Sequence, residues 1–341
     1  MGLFEFKNEY DSRYLRVIPY LYSKSVFELS QNVSILFINK FENETLLSKV
    51  QKRNVFARHS WENNFYIDRL SHFCEKTVIS IIQPGTPQDI QAFACELSEY
   101  VEHILIIASI FSLDRGAFQN KYYSTLSTDY DFAYSQDMKY LKSRTLSKKR
   151  EPINIDDSFR KRFDKLGFIN VFNYFSESNE LAERIKKCVN WLYESRVEKN
   201  LNAAIVKTSI ALESLLIFAD SESLSKSLSE RTAFLLTNEP IMRSMIGKIV
   251  TEFYKARSGI VHGGKKRIKS INKNILESMD RLLALVIILI CSNKQIWNTN
   301  ESLRLWCENQ KWGMPDGNIN LFFSKNYLSN AIKYSRIDFS K

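Results

Sequence analysis

A chain of 341 residues, of which 44% are hydrophobic and 13% aromatic, can bury one large core or two domains, which excludes a disordered protein. Its 10 glycines and 6 prolines are few, and this favours long helices over a β architecture with many turns. The net charge of +10 favours a polyanionic partner, either nucleic acid or an acidic membrane surface, although a basic protein without such a partner would carry the same charge.

The cysteines and the apolar runs indicate the compartment. No pair of the five cysteines has the Cys-x2-Cys spacing of a zinc or redox site, so we expect no metal and no cofactor. Cys188 and Cys291 lie on apolar helical faces and are predicted to be buried thiols. The longest apolar run, Leu282 to Cys291, is too short to span a bilayer, and no signal peptide is predicted. We therefore expect a cytoplasmic protein.

Residues 1–150 are predicted to form a domain of mixed α and β structure whose role the sequence does not indicate. The β-branched runs Val33–Asn39 and Thr77–Ile82 are typical of strands. A turn at Pro84–Pro87 follows, and apolar residues then recur with helical spacing from Gln88 to Phe111. This half of the chain is therefore expected to alternate between strands and helices.

A basic segment, residues 139–150, ends this region with six lysines and arginines, no acid, and a tyrosine at position 140. Basic residues beside a tyrosine can bind single-stranded nucleic acid through phosphate contacts and base stacking. A solvated loop or linker explains the same composition, and we favour that interpretation. Pro152 ends the segment, and the predicted boundary between two domains lies at residue 150.

Residues 151–341 are predicted to form an α-helical bundle with a C-terminal tail. Apolar stripes with helical spacing predict five helices, over residues 181–193, 201–218, 223–236, 240–253 and 271–291. The tail contains Trp297, Trp306 and Trp312, and we expect it to pack back on the bundle because exposed tryptophans lower solubility. The predicted fold class is mainly α, with this bundle preceded by the mixed α/β region.

The segment Tyr254-Lys-Ala-Arg-Ser-Gly-Ile-Val-His-Gly263 brings an arginine and a histidine within five positions of each other. On one unbroken helix, Arg257 and His262 would point about 140° apart and lie roughly 7.5 Å apart along the axis, so they could not easily hold one phosphate. We expect Gly259 to break the helix, because glycine tolerates conformations that other residues avoid. A guanidinium and an imidazole brought together at such a break could bind and cleave a phosphodiester.

A similar pair occurs a second time in the chain, at Arg53 and His59, with five intervening residues instead of four. A short motif of this kind arises readily by chance, so its context has to distinguish the two occurrences. The second pair stands beside Trp61 in the mixed region, where a surface loop is the favoured interpretation.

Three sequence elements, taken in order, resemble the HEPN superfamily and most closely its Apea-like branch. They are Ile210–Leu216, Glu230-Arg231 and the segment 254–263. The resemblance covers roughly residues 175–295 and implies a helical bundle that acts as a metal-independent ribonuclease. It also implies a homodimer, because HEPN ribonucleases face two copies of their motif across one cleft.

The resemblance also implies site residues. Arg257, Ser258 and His262 match the family's Arg-x4-to-6-His motif, in which a polar residue usually follows the arginine. Glu213 matches an acidic position on the upstream helix, where it would orient the motif or stabilise the bundle. The chemistry fits these residue types: histidine transfers protons near neutral pH, and the arginine fork binds phosphate. The basic residues that follow predict a docking surface for RNA phosphates, formed by Lys265, Lys266, Arg267 and Lys269.

We therefore expect a metal-independent RNA endonuclease, acting in antiphage defence or in toxin-like RNA cleavage. A non-catalytic HEPN module that binds RNA or a nucleotide, or that mediates protein assembly, is the alternative. A third interpretation is a membrane-surface protein attracted by its basic patches. Finally, Arg257 and His262 could be a purely structural pair at a helix end, with His262 capping carbonyls and Arg257 bridging to Glu213 or Glu252.

Overall fold

The computed structural model divides the chain into two compact units. The first contains Met1–Glu102 and Asn120–Lys161, and the second contains His103–Gln119 and Arg162–Lys341. The structure describes residues 6, 8–18, 21–39, 42–46, 48–49, 73, 75–112, 128–135, 140–147, 153–218, 223–262, 273–311, 313, 325–333 and 335. Over these residues the fold is mainly helical, with a small antiparallel sheet near the N-terminus.

Within the described residues, the sheet of the first unit contains six strands: β1 (Asp11–Val17), β3 (Phe27–Glu28), β4 (Val33–Ile38), β5 (Lys76–Pro84), β6 (Thr128–Ser135) and β7 (Tyr140–Ser147). Their order across the sheet is β3-β4-β5-β1-β6-β7. Every neighbouring pair is antiparallel. Two further strands, β2 (Leu21–Tyr22) and β8 (Ile153–Asn154), pair in parallel with each other. The two strands predicted from β-branched runs are thus confirmed as β4 and β5.

The described residues of the basic segment at 139–150 form a strand. Residues 140–147 form β7, which pairs with β6 at one end of the strand order. The favoured interpretation of this segment as a solvated loop or linker is therefore wrong over these eight residues. Charged and β-favouring residues alternate here without a continuous apolar pattern, so the backbone pairing with β6 was not visible from the sequence.

Helix α1 (Pro87–Ser109) follows β5 and confirms the helix predicted from Gln88 to Phe111. Thr86 and Asp89 cap its first turn reciprocally, because the Asp89 amide donates to the Thr86 hydroxyl and the Thr86 amide donates to the Asp89 carboxylate. The Thr86 hydroxyl and amide hydrogen bonds hold the pKa of Asp89 below its usual value. Most of the apolar stripe predicted for this helix is buried, including Ile90, Leu97 and Ile104, whereas Phe93 is exposed.

After residue 154, the described chain contains one short 3-10 helix (Tyr174–Ser176) and nine α-helices that follow one another. The α-helices are α2 (Asp157–Leu166), α3 (Phe168–Asn173), α4 (Glu180–Val197), α5 (Leu201–Leu216), α6 (Leu224–Leu236), α7 (Pro240–Val261), α8 (Lys273–Ser292), α9 (Asn300–Lys311) and α10 (Lys325–Lys333). Helix α8 is the centre of the second unit and packs against α3, α4, α5, α6, α7 and α10. Every residue from Ile275 to Cys291 is buried, as expected for a helix that neighbours surround on all sides.

The expected return of the C-terminal tail onto the bundle is confirmed for its described part. Trp297 is fully buried and contacts the ring of Trp306 edge-on, with ring centroids 5.1 Å apart. Helix α9 packs on α6, and α10 packs on α8. Trp312 lies outside the described residues.

The two cysteines predicted to be buried thiols are buried in the bundle. Cys188 and Cys291 are free cysteines on α4 and α8. Burial raises the pKa of both thiols well above the usual value, so they remain protonated at neutral pH.

A network of charged side chains lies inside the apolar core of the bundle. Arg196 on α4 is fully buried, and its Nη1 atom lies 2.8 Å from Glu277 Oε2 and 3.8 Å from Asp280 Oδ2, both on α8. Arg281 adds a second cation, with Nη2 3.2 Å from Glu277 Oε1. The Thr208 hydroxyl of α5 donates to Asp280 Oδ1 over 3.0 Å. These contacts tie α4, α5 and α8 together by charges that water cannot reach.

Candidate functional site

Helix α7 carries the arginine–histidine motif at its C-terminal end. Pro240 occupies its first turn, where the missing N–H of proline leaves no helical bond unmade, and the helix continues to Val261. His262 is the C-cap residue, with φ −94° and ψ 11°, and its backbone N–H donates to the Ser258 carbonyl over 3.1 Å. The helical hydrogen bonding therefore runs through Gly259 without a break.

The prediction that Gly259 breaks the helix is thus wrong. Glycine permits a break but does not require one, and its cost within a helix is only about 0.5–1 kcal/mol relative to alanine. Burial of Phe253 and Tyr254 against the bundle holds the last turns of α7 in the helical conformation. Because the helix is continuous, Arg257 and His262 point about 140° apart within one chain.

Arg257 points towards α5, where it meets Glu213. The Arg257 Nη2 atom lies 3.5 Å from Glu213 Oε1, and both side chains are a little under a quarter exposed. The other suggested partner, Glu252, instead pairs with Lys255 over 2.5 Å. The structure therefore brings together two of the predicted site residues, Arg257 and Glu213.

Tyr254 completes this cluster and was missed as a site residue. Its hydroxyl donates a hydrogen bond to Glu213 Oε1, the same oxygen that faces Arg257. The Arg257 guanidinium carbon lies 5.9 Å from the centre of the Tyr254 ring. Tyr254 and Arg257 are three positions apart on α7, a spacing that puts them on one helical face. That spacing was readable from the sequence and could have identified Tyr254.

The environment of Tyr254 keeps its hydroxyl protonated. Burial and then the hydrogen bond to the Glu213 carboxylate raise the pKa of Tyr254 well above its usual value, while the nearby Arg257 cation opposes the shift. The tyrosine is consequently a permanent hydrogen-bond donor to Glu213 at any physiological pH.

Arg257 retains hydrogen-bond donors that no described residue uses. Its Nε atom is buried and has no hydrogen-bond partner among the residues that the structure describes. Its contact with Glu213 is an ion pair, at a distance longer than the 2.7–2.9 Å typical of a charge-assisted hydrogen bond. The buried Nε is closed to solvent, but the Arg257 side chain as a whole is 22% exposed, so its guanidinium can still bind an anion such as a phosphate.

Ser258 and His262 form the other side of the helix end. They are four positions apart and therefore lie about 40° apart around the helix axis, on the same face. Both side chains are exposed. The side chain of His262 makes no hydrogen bond or ion pair with any residue in the described ranges, so the suggestion that it caps carbonyls is not supported.

The remaining predicted site residues lie outside the described part of the chain. These are Lys265, Lys266, Arg267 and Lys269, together with the second motif occurrence, Arg53 and His59. Within the described ranges, no group of three or more His, Cys, Asp or Glu residues is placed to hold a metal ion. None of the helices described is both long enough and apolar enough to span a membrane.

Comparison of the chain with protein-family models, with curated proteins and with solved structures finds no match in any of the three. The functional assignment therefore depends on the residues themselves.

Proposed function

We propose that this chain is a metal-independent RNA endonuclease of the HEPN type, with Arg257 and His262 as its catalytic residues. The proposal rests on the contacts that Arg257 makes and on the donors that it leaves unused. A carboxylate and a tyrosine hold it at the end of α7, it keeps unused donors, and an exposed histidine follows five positions later. A role in antiphage defence or toxin-like RNA cleavage is part of the same proposal.

The proposed reaction uses the RNA's own hydroxyl. The 2′-oxygen attacks the adjacent phosphorus, its proton passes to a base, the bond from phosphorus to the 5′-oxygen breaks, and that oxygen receives a proton from an acid. Imidazole suits both proton transfers, and the Arg257 guanidinium suits the charge on the transition state. Ser258 would add a polar contact beside the histidine, and Glu213 would orient the arginine. Lys265, Lys266, Arg267 and Lys269 would bind neighbouring phosphates.

A homodimer resolves two difficulties of this mechanism. One histidine cannot readily serve as both base and acid in a single step. In addition, Arg257 and His262 diverge by about 140° on their continuous helix, so one chain alone does not direct both at the same phosphate. Two chains that face each other across a cleft would supply two copies of each group, from different directions.

The angle of about 140° between Arg257 and His262 also favours the alternative function, a non-catalytic module that binds RNA or a nucleotide or mediates assembly. A cleavage assay in EDTA, with an RNA and a DNA of the same sequence, separates the two. The ribonuclease should cut the RNA with metal ions removed, leave a 2′,3′-cyclic phosphate or its hydrolysis product, and spare the DNA, which lacks the attacking hydroxyl. RNA binding without products would support the alternative, and equal cutting of DNA would contradict the mechanism.

The Arg257→Lys variant is expected to cleave RNA about a hundredfold or more slowly. Lysine keeps the positive charge but loses the planar fork that donates two hydrogen bonds, a loss of roughly 2–4 kcal/mol if it resembles the deletion of an oxyanion donor. Single-turnover cleavage rates measure the effect. The matched control is Lys255→Ala, which removes an exposed cation two positions away and should change the rate little. Equal rates for Arg257→Lys and the unaltered protein would show that only the charge matters.

Specific activity is expected to fall when the protein is diluted below the dissociation constant of its dimer, because the active species then dissociates. Sedimentation and cleavage measured over the same concentration range test this. Mixing the His262→Ala variant with unaltered protein forms heterodimers, whose activity shows whether both histidines are required. Full activity of a strictly monomeric protein would refute the shared cleft.

A further inference from the structure

The contacts around one oxygen atom, Oε1 of Glu213, suggest how Arg257 is controlled. The Tyr254 hydroxyl donates to this oxygen, and the Arg257 Nη2 atom lies 3.5 Å from it. We infer that Tyr254 is a positioning residue: by occupying Oε1, it prevents Glu213 from pairing fully with Arg257 and so leaves the guanidinium able to bind an RNA phosphate. The inference rests on the function proposed above and assigns a role to a residue outside the arginine–histidine motif.

The geometry of the ion pair supports this competition. An arginine beside an unopposed carboxylate commonly forms two parallel hydrogen bonds at about 2.7–2.9 Å. Here the separation is 3.5 Å, and Arg257 makes no hydrogen bond with a described residue although its Nε is buried. The tyrosine hydroxyl makes the close hydrogen bond to Oε1 instead. Glu213 thus holds Arg257 by charge without consuming its donors.

The position of Tyr254 keeps its hydroxyl hydrogen-bonded to Glu213 Oε1 at all times. Its side chain is only 6% exposed and belongs to the buried face of α7, so the ring cannot swing away into solvent. Burial and the neighbouring carboxylate raise its pKa, so the hydroxyl always carries its proton. Its partner Glu213 lies on α5, which packs against α7. The packing of two helices therefore fixes the hydrogen bond.

A purely structural role for Tyr254 and competition with Arg257 for Glu213 predict different effects of removing the hydroxyl. If the hydroxyl only ties α7 to α5, its removal weakens the fold whether or not residue 213 carries a charge. If it keeps Arg257 available, its removal matters only while Glu213 is charged, because only a carboxylate can capture the guanidinium. The two roles are separated by removing the hydroxyl with and without that charge.

The experiment compares Tyr254→Phe in the unaltered chain and in the Glu213→Gln background. Tyr254→Phe deletes one oxygen and keeps the ring, and the glutamine keeps an acceptor oxygen without the charge. We expect Tyr254→Phe alone to lower kcat/KM for RNA cleavage by about tenfold, a coupling typical of groups that share a contact. In the Glu213→Gln background the same change should stay within about twofold, as for uncoupled sites. An equal loss in both backgrounds, no loss in either, or a Tyr254→Phe chain that does not fold overturns the inference.

RNA binding distinguishes failure of this inference from failure of the proposed function. Binding of a single-stranded RNA oligonucleotide is measured against salt concentration for the same four proteins. Capture of Arg257 by Glu213 removes one phosphate contact, so Tyr254→Phe alone should make the slope of log K against log salt about 0.7 less negative, and should not do so in the Glu213→Gln background. If the unaltered protein binds RNA without cutting it, the nuclease proposal fails and this slope still decides the inference. If it neither cuts nor binds RNA, both fail.

Discussion

The His262→Ala variant is expected to lose RNA cleavage by about 10²- to 10⁴-fold, the usual contribution of a positioned acid or base. Alanine removes the imidazole but keeps the backbone N–H that bonds to the Ser258 carbonyl at the end of α7. The side chain is exposed and has no polar contact with the described residues, so its removal should leave the helices and their stability unchanged. Cleavage rates are compared at equal folded fraction, verified by circular dichroism and urea unfolding.

The control for this prediction is His59→Ala, which alters the second arginine–histidine pair, Arg53 and His59. It should retain the activity of the unaltered protein if α7 carries the site. Inactivity of His59→Ala together with full activity of His262→Ala would move the site to the N-terminal unit. Full activity of both variants would remove histidine from the mechanism altogether.

The candidate site shows which contacts a sequence can predict. The sequence offered Glu213 or Glu252 as the carboxylate that pairs with Arg257, and the structure shows the pair with Glu213, which joins α7 to α5. The break at Gly259 was expected from the permissiveness of glycine alone. The conformation of the helix end depends instead on how firmly Phe253 and Tyr254 pack on the bundle, and that packing is a tertiary property which a local residue preference does not contain.

Strand β1, inside the sheet, shows what nearby residues cannot predict. β1 has the sequence Asp-Ser-Arg-Tyr-Leu-Arg-Val, and its two arginines are buried. Arg13 donates to the Ser80 hydroxyl on β5, and Arg16 pairs with Glu102 on α1 over 2.8 Å. These partners lie 67 and 86 positions away in the chain. Charged residues are rarely buried without such partners, so a pattern of nearby residues argues against a central strand here.

Loss of the buried cation in the bundle is expected to have the largest effect on stability. Arg196→Met keeps the length of the side chain but leaves the carboxylates of Glu277 and Asp280 in the core without the guanidinium that lies 2.8 Å and 3.8 Å from them. Breaking a buried ion pair on one side costs about 3–5 kcal/mol, because the remaining charge stays desolvated. Urea unfolding measures the loss as a lower midpoint at an unchanged m-value. Tryptophan fluorescence mainly follows the second unit, which contains four of the five tryptophans, Trp191, Trp297, Trp306 and Trp312, whereas Trp61 belongs to the first.

The matched control for Arg196→Met is Lys207→Met, which removes a cation that joins α5 to the end of α4 near the surface. The Lys207 Nζ atom lies 2.9 Å from Glu198 and 3.4 Å from Glu194, and its side chain is about a quarter exposed. Solvent screens such pairs, so this change should cost no more than about 1 kcal/mol. Adding Asp280→Asn to Arg196→Met should recover part of the loss, because it removes one of the two buried carboxylates that faced the guanidinium, whereas Glu277 keeps Arg281 Nη2 at 3.2 Å. If Arg196→Met is as stable as Lys207→Met, the buried network does not hold the bundle together, and the apolar packing around α8 alone must account for its stability.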